Sequence, residues 1–326
     1  MKTTRHWPPY QMMESDLVER AQSRLDKLER LYHVGQNNIW DGREVLDALI
    51  KKHGPPKLPA DKKESALKVL SILLWGELAA WAISADLAER IDDVEAKMAA
   101  TSQAHDEARH FYVLRDYLRA LGEPVPRLGG IGRRLLLSIL DTPSLVHKLI
   151  GMQLMTESNA LAIFRGLVES KIEPVLADLL PYYEKDEARH VGLGVMYLPR
   201  LLSRLSPVET AGVIAFQVRS IAMLMSAGIN MHDHFRALGI DPLRMAEYTI
   251  KLQDEVTRDM LADAPTDHGR RRRDAVRGLL NPGKGYGPKI LDFIHPHGGV
   301  AKAPAWQRTA LKAWKRVAAA ADRALA

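Results

Sequence analysis

The pentapeptide DEARH occupies residues 106–110 and recurs letter for letter at residues 186–190. A shift of eighty residues also aligns Glu77 with Glu157 and Tyr117 with Tyr197, without a gap. From residue 73 to residue 120, 14 of the 48 aligned positions are identical. Because amphipathic patterning alone does not produce such agreement, the repeat predicts two related helix hairpins.

The spacing between the glutamates predicts where each hairpin turns. Glu77 and Glu107 are thirty residues apart, so two antiparallel helices bring both carboxylates to one height only if the turn lies about fifteen residues, or roughly 22 Å, from each. The midpoint is Asp92, within a polar stretch suited to a turn. In the second half the same place contains Pro174, which suits the first position of a new helix.

Each DEARH copy places a glutamate and a histidine three residues apart, on one face of a helix, where both can bind the same ion. Two hairpins together offer two single glutamates and two Glu-x-x-His pairs. A bundle core that holds two metal ions through carboxylates uses this set of ligands. The predicted metal ligands are Glu77, Glu107, His110, Glu157, Glu187 and His190.

The other two polar residues of each DEARH copy are predicted to support the ligands. Metal-binding histidines usually donate their second N–H to a carboxylate, which sets the tautomer and the ring orientation. Asp106 and Asp186 are the candidates, each reaching across the bundle to the histidine of the other half, with Arg109 and Arg189 balancing their charge. Two divalent metals would cancel the four negative charges of the glutamates.

Composition narrows the remaining classes. The chain has 326 residues and no cysteine, so disulfides, thiolate metal sites and cysteine nucleophiles are excluded. The N-terminal sequence lacks the apolar run of a signal peptide, and we expect a cytoplasmic protein. The apolar residues 69–85 contain Glu77 and therefore predict a buried helix, with no membrane span. The net charge is +6, but the basic run at residues 270–273 has no interleaved aromatic residues, so no nucleic-acid partner is expected.

Helix signals run along the whole chain, and strand alternation is missing. Asp41 with Glu44, Asp61 with Glu64, and Ser206 with Glu209 have the spacing of capping boxes. The fold class is therefore predicted as all-α, a four-helix bundle with accessory helices. Helices are expected at residues 15–33, 42–53, 62–90, 94–121, 131–140, 143–171, 174–198, 207–237, 242–263 and 307–324.

With these ligands, the sequence resembles the ferritin-like superfamily of di-iron carboxylate proteins. The DExRH form is similar to soluble monooxygenase hydroxylases, acyl-carrier-protein desaturases and ribonucleotide reductase small subunits. The resemblance implies a cofactor of two iron ions, with manganese replacing one as the alternative, and activation of O2 to oxidise a small, apolar organic substrate. It also implies an electron-donor protein or reductant. The predicted organisation is N-terminal accessory helices at 1–61, the ferritin-like bundle at 62–200 and C-terminal accessory helices with a basic tail at 201–326.

Departures from these families leave the chemistry open. The multicomponent hydroxylases place a threonine one turn after the third ligand glutamate, where this chain has Leu161. A radical-generating reductase subunit carries a tyrosine at the position of Leu114, and arylamine N-oxygenases carry a histidine at the position of Tyr183. Hydroxylation, desaturation and N-oxidation therefore stay open. A ferroxidase or peroxide scavenger, or a non-catalytic metal-binding bundle, is the alternative function, and a homodimer is one possible assembly.

Apolar residues on or near the ligand-bearing faces are the candidates for a substrate pocket. They are Trp81, Phe111, Leu161, Phe164 and Tyr183.

Overall fold

The computed structural model describes residues 23–124, 126–262 and 300–325. Within these ranges the chain is helical, as predicted, and contains no strand. The helices are α1 (Ser23–Asn37), α2 (Gly42–His53), α3 (Lys63–Arg90), α4 (Val94–Ala120), α5 (Gly130–Leu140), α6 (Leu145–Leu149), a π-helical segment (Ile150–Thr156), α7 (Glu157–Ser170), α8 (Pro174–Leu202), α9 (Pro207–Ala237), α10 (Pro242–Ala262) and α11 (Ala305–Leu325), with a 3-10 turn at Val300–Lys302.

Two of the three predicted capping boxes mark helix starts. The Asp41 side chain accepts hydrogen bonds from the first turn of α2, and Ser206 forms a reciprocal box with Glu209 at the start of α9. Asp61 does not cap a helix, because α3 begins at Lys63 and no side chain caps it. The helix predicted at residues 15–33 is described only from Ser23, and it continues to Asn37.

The four-helix bundle consists of the α3–α4 hairpin and the hairpin formed by α6, the π-helical segment, α7 and α8. Helix α3 ends at Arg90 and α4 begins at Val94, so the first turn surrounds Asp92 as predicted. The second turn lies between Ser170 and Pro174. The repeat in the sequence thus corresponds to two hairpins of matching geometry.

The apolar core is divided into two clusters along the bundle axis. On α3, buried apolar residues before Glu77 belong to one cluster and those after it belong to the other. The same division occurs on α4 around His110 and on α8 around Glu187. The candidate ligands therefore form a buried polar layer between two apolar clusters, which exclude water from both ends.

Accessory helices cover the bundle on two sides. Helices α1 and α2 pack on α4 and α8, whereas α5 and α9 pack on α3, and α10 packs on α7 and α8. The described part of the chain does not test the predicted domain limits, and the basic run at residues 270–273 lies outside it.

Two described helices, α3 and α9, are long and apolar enough to cross a membrane by length and composition alone. Helix α3 lies in the bundle and carries Glu77, so its apolar character has a structural explanation. The absence of a membrane span stays a prediction.

Candidate metal centre

The structure brings the six predicted ligands together in the polar layer of the bundle. They come from four helices, and each is at most 4% exposed. They form two groups of four, and within each group one ligand atom per residue lies within 4.8 Å of the others. The first group is Glu77, Glu107, His110 and Glu187, and the second is Glu107, Glu157, Glu187 and His190.

Glu107 and Glu187 belong to both groups, and each directs its two oxygens to different histidines. Oε1 of Glu107 lies 2.9 Å from Nδ1 of His190, whereas its Oε2 lies 3.5 Å from Nδ1 of His110. Oε2 of Glu187 lies 2.9 Å from His190, and its Oε1 lies 3.2 Å from His110. Glu107 and Glu187 could therefore each hold two metal ions, whereas Glu77 and Glu157 each belong to one ligand group only.

Each histidine faces the carboxylates with Nδ1 and an aspartate of the other half with Nε2. Nε2 of His110 lies 3.1 Å from Asp186 Oδ2, and Nε2 of His190 lies 3.3 Å from Asp106 Oδ2. This is the crossed pairing that the sequence predicted. It orients both Nδ1 atoms toward the position where a metal would bind.

Two arginines hold the aspartates in place. Arg109 donates to Asp106 at 2.5 Å and to Asp186 at 2.9 Å. Arg189 donates to Asp186 at 2.6 Å and to Asp106 at 2.9 Å. The two carboxylates and two guanidinium groups form a network of zero net formal charge beside the histidines.

Sequence reasoning missed a tryptophan that contacts this network. Trp40, between α1 and α2, donates its indole N–H to Asp186 Oδ2 at 2.8 Å. The Arg109 guanidinium lies over the Trp40 ring, 4.8 Å from its centroid. Trp40 is about 70 residues from the first DEARH copy and farther from the second. No local sequence pattern could therefore have indicated this contact.

Two buried glutamines were also missed. Gln103 donates from Nε2 to Glu107 Oε1 and to Glu157 Oε1, at 3.2 Å each. Gln153 in turn donates to Gln103 Oε1 at 3.1 Å. Each glutamine stands four residues before a ligand glutamate, and this repeated Gln-x-x-x-Glu spacing is the sequence signal that could have found them.

Burial divides the four glutamates into two kinds. Burial raises the pKa of Glu77 and outweighs the contact with His110, which lowers it, while repulsion from Glu187 and Glu107 adds to the rise. Burial also raises the pKa of Glu157, together with repulsion from Glu187 and Glu107. Burial opposes ionisation of Glu107 and Glu187 as well, but contact with both histidines holds their pKa values below the ordinary range.

Both histidines are stronger bases than a free imidazole. Burial would lower the pKa of His110, but its contacts with Asp186 and the glutamates raise it well above the ordinary value. The pKa of His190 is raised in the same way, by Glu107, Glu187 and Asp106. With two carboxyl pKa values raised, two lowered and both imidazole pKa values raised, the six groups could release up to four protons to solvent when two divalent ions bind.

The ligand set fits two metal ions on structural grounds. Glu107 Oε2, Glu187 Oε1 and His110 Nδ1 are buried and make no aligned hydrogen bond among the described residues. An unpaired buried polar atom costs about 1–3 kcal/mol, so three of them at one point need an explanation. Metal ligation would explain the unpaired atoms, since Glu107 and Glu187 belong to both ligand groups and His110 belongs to the first. Carboxylate and imidazole ligands suit iron and manganese.

Glu157 follows directly on a π-helical turn, which departs from the continuous helix predicted at residues 143–171. Helix α6 ends at Leu149, and residues Ile150–Thr156 have π-helical bonding before α7 begins at Glu157. The Thr156 hydroxyl donates to Gly151 O within the segment. Such wide turns are frequent at functional sites.

A cavity of about 430 Å³ lies beside the cluster. Its walls come from α3, the π-helical segment and α7 on one side and from α5, α9 and α10 on the other. Glu77 and Glu157 line it, together with apolar residues such as Leu136, Leu224 and Met245. Glu77 and Glu157, which each belong to one ligand group, therefore face the cavity. Glu107 and Glu187, which belong to both groups, are not among its lining residues.

None of the residues predicted to form a substrate pocket lines this cavity. Trp81 is 40% exposed and packs on Phe111, with ring centroids 6.4 Å apart. Leu161 and Phe164 are buried in the two apolar clusters. Tyr183 is fully buried, stacks on His110 with ring centroids 4.2 Å apart and donates to His110 O. The cavity is lined instead by Ala160 and Ile163, among others.

The tyrosines two turns beyond each histidine have matching structural roles. Tyr117 donates to Glu173 at 2.9 Å, and Tyr197 donates to Asp93 at 2.9 Å. Each acceptor precedes the first helical residue of a hairpin's second helix, in the opposite half of the repeat. The pair ties the two hairpins together at their turns.

Comparisons with known proteins agree with the architecture. No protein-family model matches the sequence, and no curated protein matches it. Among solved structures, one variant of an R2-like ligand-binding oxidase with an aerobically reconstituted Mn/Fe cofactor has a TM-score of 0.54 at 16% identity, covering 85% of this chain and 96% of that chain. Another variant of that oxidase, with an Fe/Fe cofactor, has a TM-score of 0.54 at 15% identity, covering 85% and 98%.

A third similar structure is a protein with aldehyde deformylating oxidase activity from Synechococcus. Its TM-score is 0.52 at 20% identity, covering 67% of this chain and 98% of that chain. At these identities the similarity is one of fold. The duplicated hairpins and these neighbours together give the conclusion that the chain has the ferritin-like helical-bundle fold.

Proposed function

We propose that this protein is a dinuclear metal oxidase that uses O2 to oxidise a small, mainly apolar organic molecule. The cofactor in this proposal is two iron ions, or one manganese and one iron. The observation that supports it best is the cavity of about 430 Å³ that Glu77 and Glu157 line. A volume of this size suits a small organic ligand, and its position would place that ligand against the metals.

The side chains around the proposed metals would have separate roles. Glu107 and Glu187 would hold the two metals together, and His110 and His190 would complete one position each. Bound metals of this kind supply the electrons that reduce O2. The aspartate and arginine network keeps both imidazoles oriented, and the two apolar clusters keep bulk water from the reacting groups.

The cavity offers both an apolar wall and a few polar groups for orienting a substrate. Gln217 Oε1 and Asn230 Nδ2 are buried and have no hydrogen-bond partner among the described residues. Both side chains line the cavity, on α9. Because buried polar groups are normally paired, we infer that a bound molecule carries at least one polar group.

The proposal also covers the reductant, the cellular location and the assembly of the protein. Reduction of O2 requires an external reductant, here an electron-donor protein or a small reductant. A chain without cysteine suits a cytoplasmic setting, and a homodimer is the assembly proposed. A ferroxidase or peroxide scavenger would use the same metals but would not need an organic substrate, so the cavity separates the two functions.

The test compares two glycine substitutions in the reconstituted protein. Gly76 lines the cavity next to Glu77, and a Cβ added there meets no atom within 4 Å. Gly212 on α9 has equally open space but lies outside the cavity lining. Either change to leucine should raise helix stability by up to about 1 kcal/mol, so both variants are expected to fold.

We expect Gly76→Leu to keep its metal and a melting temperature at least as high as that of the unsubstituted protein, while losing O2 consumption that depends on candidate apolar substrates. Gly212→Leu should keep all three. Metal content, optical spectra after reduction and O2 exposure, and O2 uptake with and without substrate provide the readouts. Equal substrate-dependent activity in both variants would argue against the oxidase proposal and favour a ferroxidase.

A further inference from the structure

The two halves of the centre differ at the position one turn before each ligand glutamate. Leu73 precedes Glu77, and Gln153 occupies the equivalent place before Glu157. Gln103 precedes Glu107, and its repeat equivalent is Tyr183. Neither glutamine is therefore repeated in the other half: the equivalent of Gln153 is Leu73, and the equivalent of Gln103 is Tyr183.

The amides form a directed chain that ends on two ligands. The NH2 group of Gln103 faces the cluster, where it donates to Glu107 and to Glu157. This directs Oε1 of Gln103 away from the cluster, where the NH2 group of Gln153 donates to it at 3.1 Å. Gln153 keeps its own Oε1 buried and unpaired as a result.

The oxygens that Gln103 contacts all belong to one metal position. Oε1 of Glu107 is the oxygen that faces His190, and Glu157 belongs to the second ligand group only. Glu77, in the first group, has only a histidine contact, from Nδ1 of His110 at 3.3 Å. Among the described residues, no amide donates to the Glu77 carboxylate.

The backbone has adapted to the amides on the same side. Gln153 lies in the π-helical segment, which the first half of the repeat lacks. Helix α8 passes it closely at Gly194, where an added Cβ would lie 2.7 Å from the Gln153 Cβ. The repeat equivalent of Gly194 is Leu114. Four departures from the repeat therefore converge on the position of Glu157 and His190.

We infer that Gln103 and Gln153 make the two metal positions unequal, so that the position of Glu157 and His190 binds metal more tightly and fills first. They act as positioning residues, because they hold the Glu157 carboxylate in its ligating orientation before metal arrives. Preorganised ligands lose less conformational freedom on binding. The inference rests on the dinuclear centre of the proposed function.

The experiment titrates metal-free protein with Mn²⁺ and follows binding by calorimetry and by the electron paramagnetic resonance signal of free Mn²⁺. The unsubstituted protein should bind two ions in two resolved steps. Gln103→Met removes the donor at similar side-chain length and should weaken the tight step by about 10 to 100-fold, leaving the weak step unchanged. The two steps should then merge.

Two further variants control for general disruption of the core. Gln153→Met removes only the group that orients Gln103, and it should weaken the tight step in the same direction by a smaller factor. Tyr183→Phe removes the hydroxyl that donates to His110 O on the other side of the centre. It should leave the tight step unchanged. Melting temperatures identify a variant that fails to fold, and Gln153→Met then carries the test.

Separate outcomes overturn the inference and the proposed function. Two equal steps in the unsubstituted protein, or a tight step that survives both glutamine substitutions, overturn the unequal positions while leaving the dinuclear centre in place. Loss of the weak step instead of the tight one also overturns them. Fewer than two Mn²⁺ ions bound to the unsubstituted protein would overturn the dinuclear centre itself and the inference with it.

Discussion

Metal loading is expected to release about four protons per chain near neutral pH. In the metal-free protein the raised pKa values of Glu77 and Glu157 favour the protonated form of both carboxyl groups. The raised pKa values of His110 and His190 keep both imidazoles charged. Because ligands must lose their protons to bind a metal, two carboxyl protons and two imidazolium protons leave when two ions bind.

The size of the pH effect follows from this count. Metal-free protein holds protons that loaded protein does not, so binding strengthens as the pH rises and weakens as it falls. Each released proton contributes about 1.36 kcal/mol per pH unit, so four contribute about 5.4 kcal/mol to the binding free energy of the metal pair. The affinity per ion should therefore rise roughly 100-fold for each pH unit.

Calorimetric titration with Mn²⁺ in two buffers of different ionisation enthalpy measures the proton count directly. A matched control is Glu184→Gln, because burial also raises the pKa of Glu184 but this residue lies outside both ligand groups. The control should release the same number of protons as the unsubstituted protein. Release of one proton or none, or binding that weakens as the pH rises, would refute the charge assignment of the cluster.

Two further predictions concern groups that contact the ligands or join the hairpins. Asp106→Asn and Asp186→Asn should each weaken metal binding by about 10 to 100-fold, measured by competition with a chelator, and unchanged affinity in both would show that the aspartates only pair with arginines. Tyr117→Phe should lower the free energy of unfolding by about 1–3 kcal/mol, more than Tyr197→Phe, because the hydroxyl of Tyr197 is less buried. Both tyrosine variants should keep two metals, which denaturant unfolding combined with metal analysis can check, and loss of metal in either would contradict a purely structural role.

Much of the metal centre could be predicted from the sequence because its information is local. The spacing of Glu107 and His110 alone places both on one helix face. The thirty residues between Glu77 and Glu107 then require a turn at Asp92, which is where α3 gives way to α4. Because the motif is duplicated, the same reasoning predicts the second hairpin. The pairing of each histidine with the aspartate of the other half was predicted because metal-binding histidines usually donate their second N–H to a carboxylate.

The two glutamines were within reach of the same reasoning. Gln103 and Gln153 each stand one turn before a ligand, but a single polar residue on a helix face does not reveal whether it points toward the centre. Only the tertiary approach of α4 and the π-helical segment brings the two amides together. Helix periodicity also assumes regular turns, so the sequence did not predict that residues Ile150–Thr156 would widen.

The candidate ligands of the two DEARH copies and the hairpins that carry them follow from the sequence, because helix geometry relates spacing to direction. The cavity was decided by tertiary structure. Sequence reasoning chose Leu161 and Phe164 as its walls, whereas Ala160 and Ile163 line it. The error is one residue, or about 100° of rotation around α7. The packing of α9 and α10 decides which side of α7 faces the cavity, and this packing depends on contacts between residues far apart in the chain.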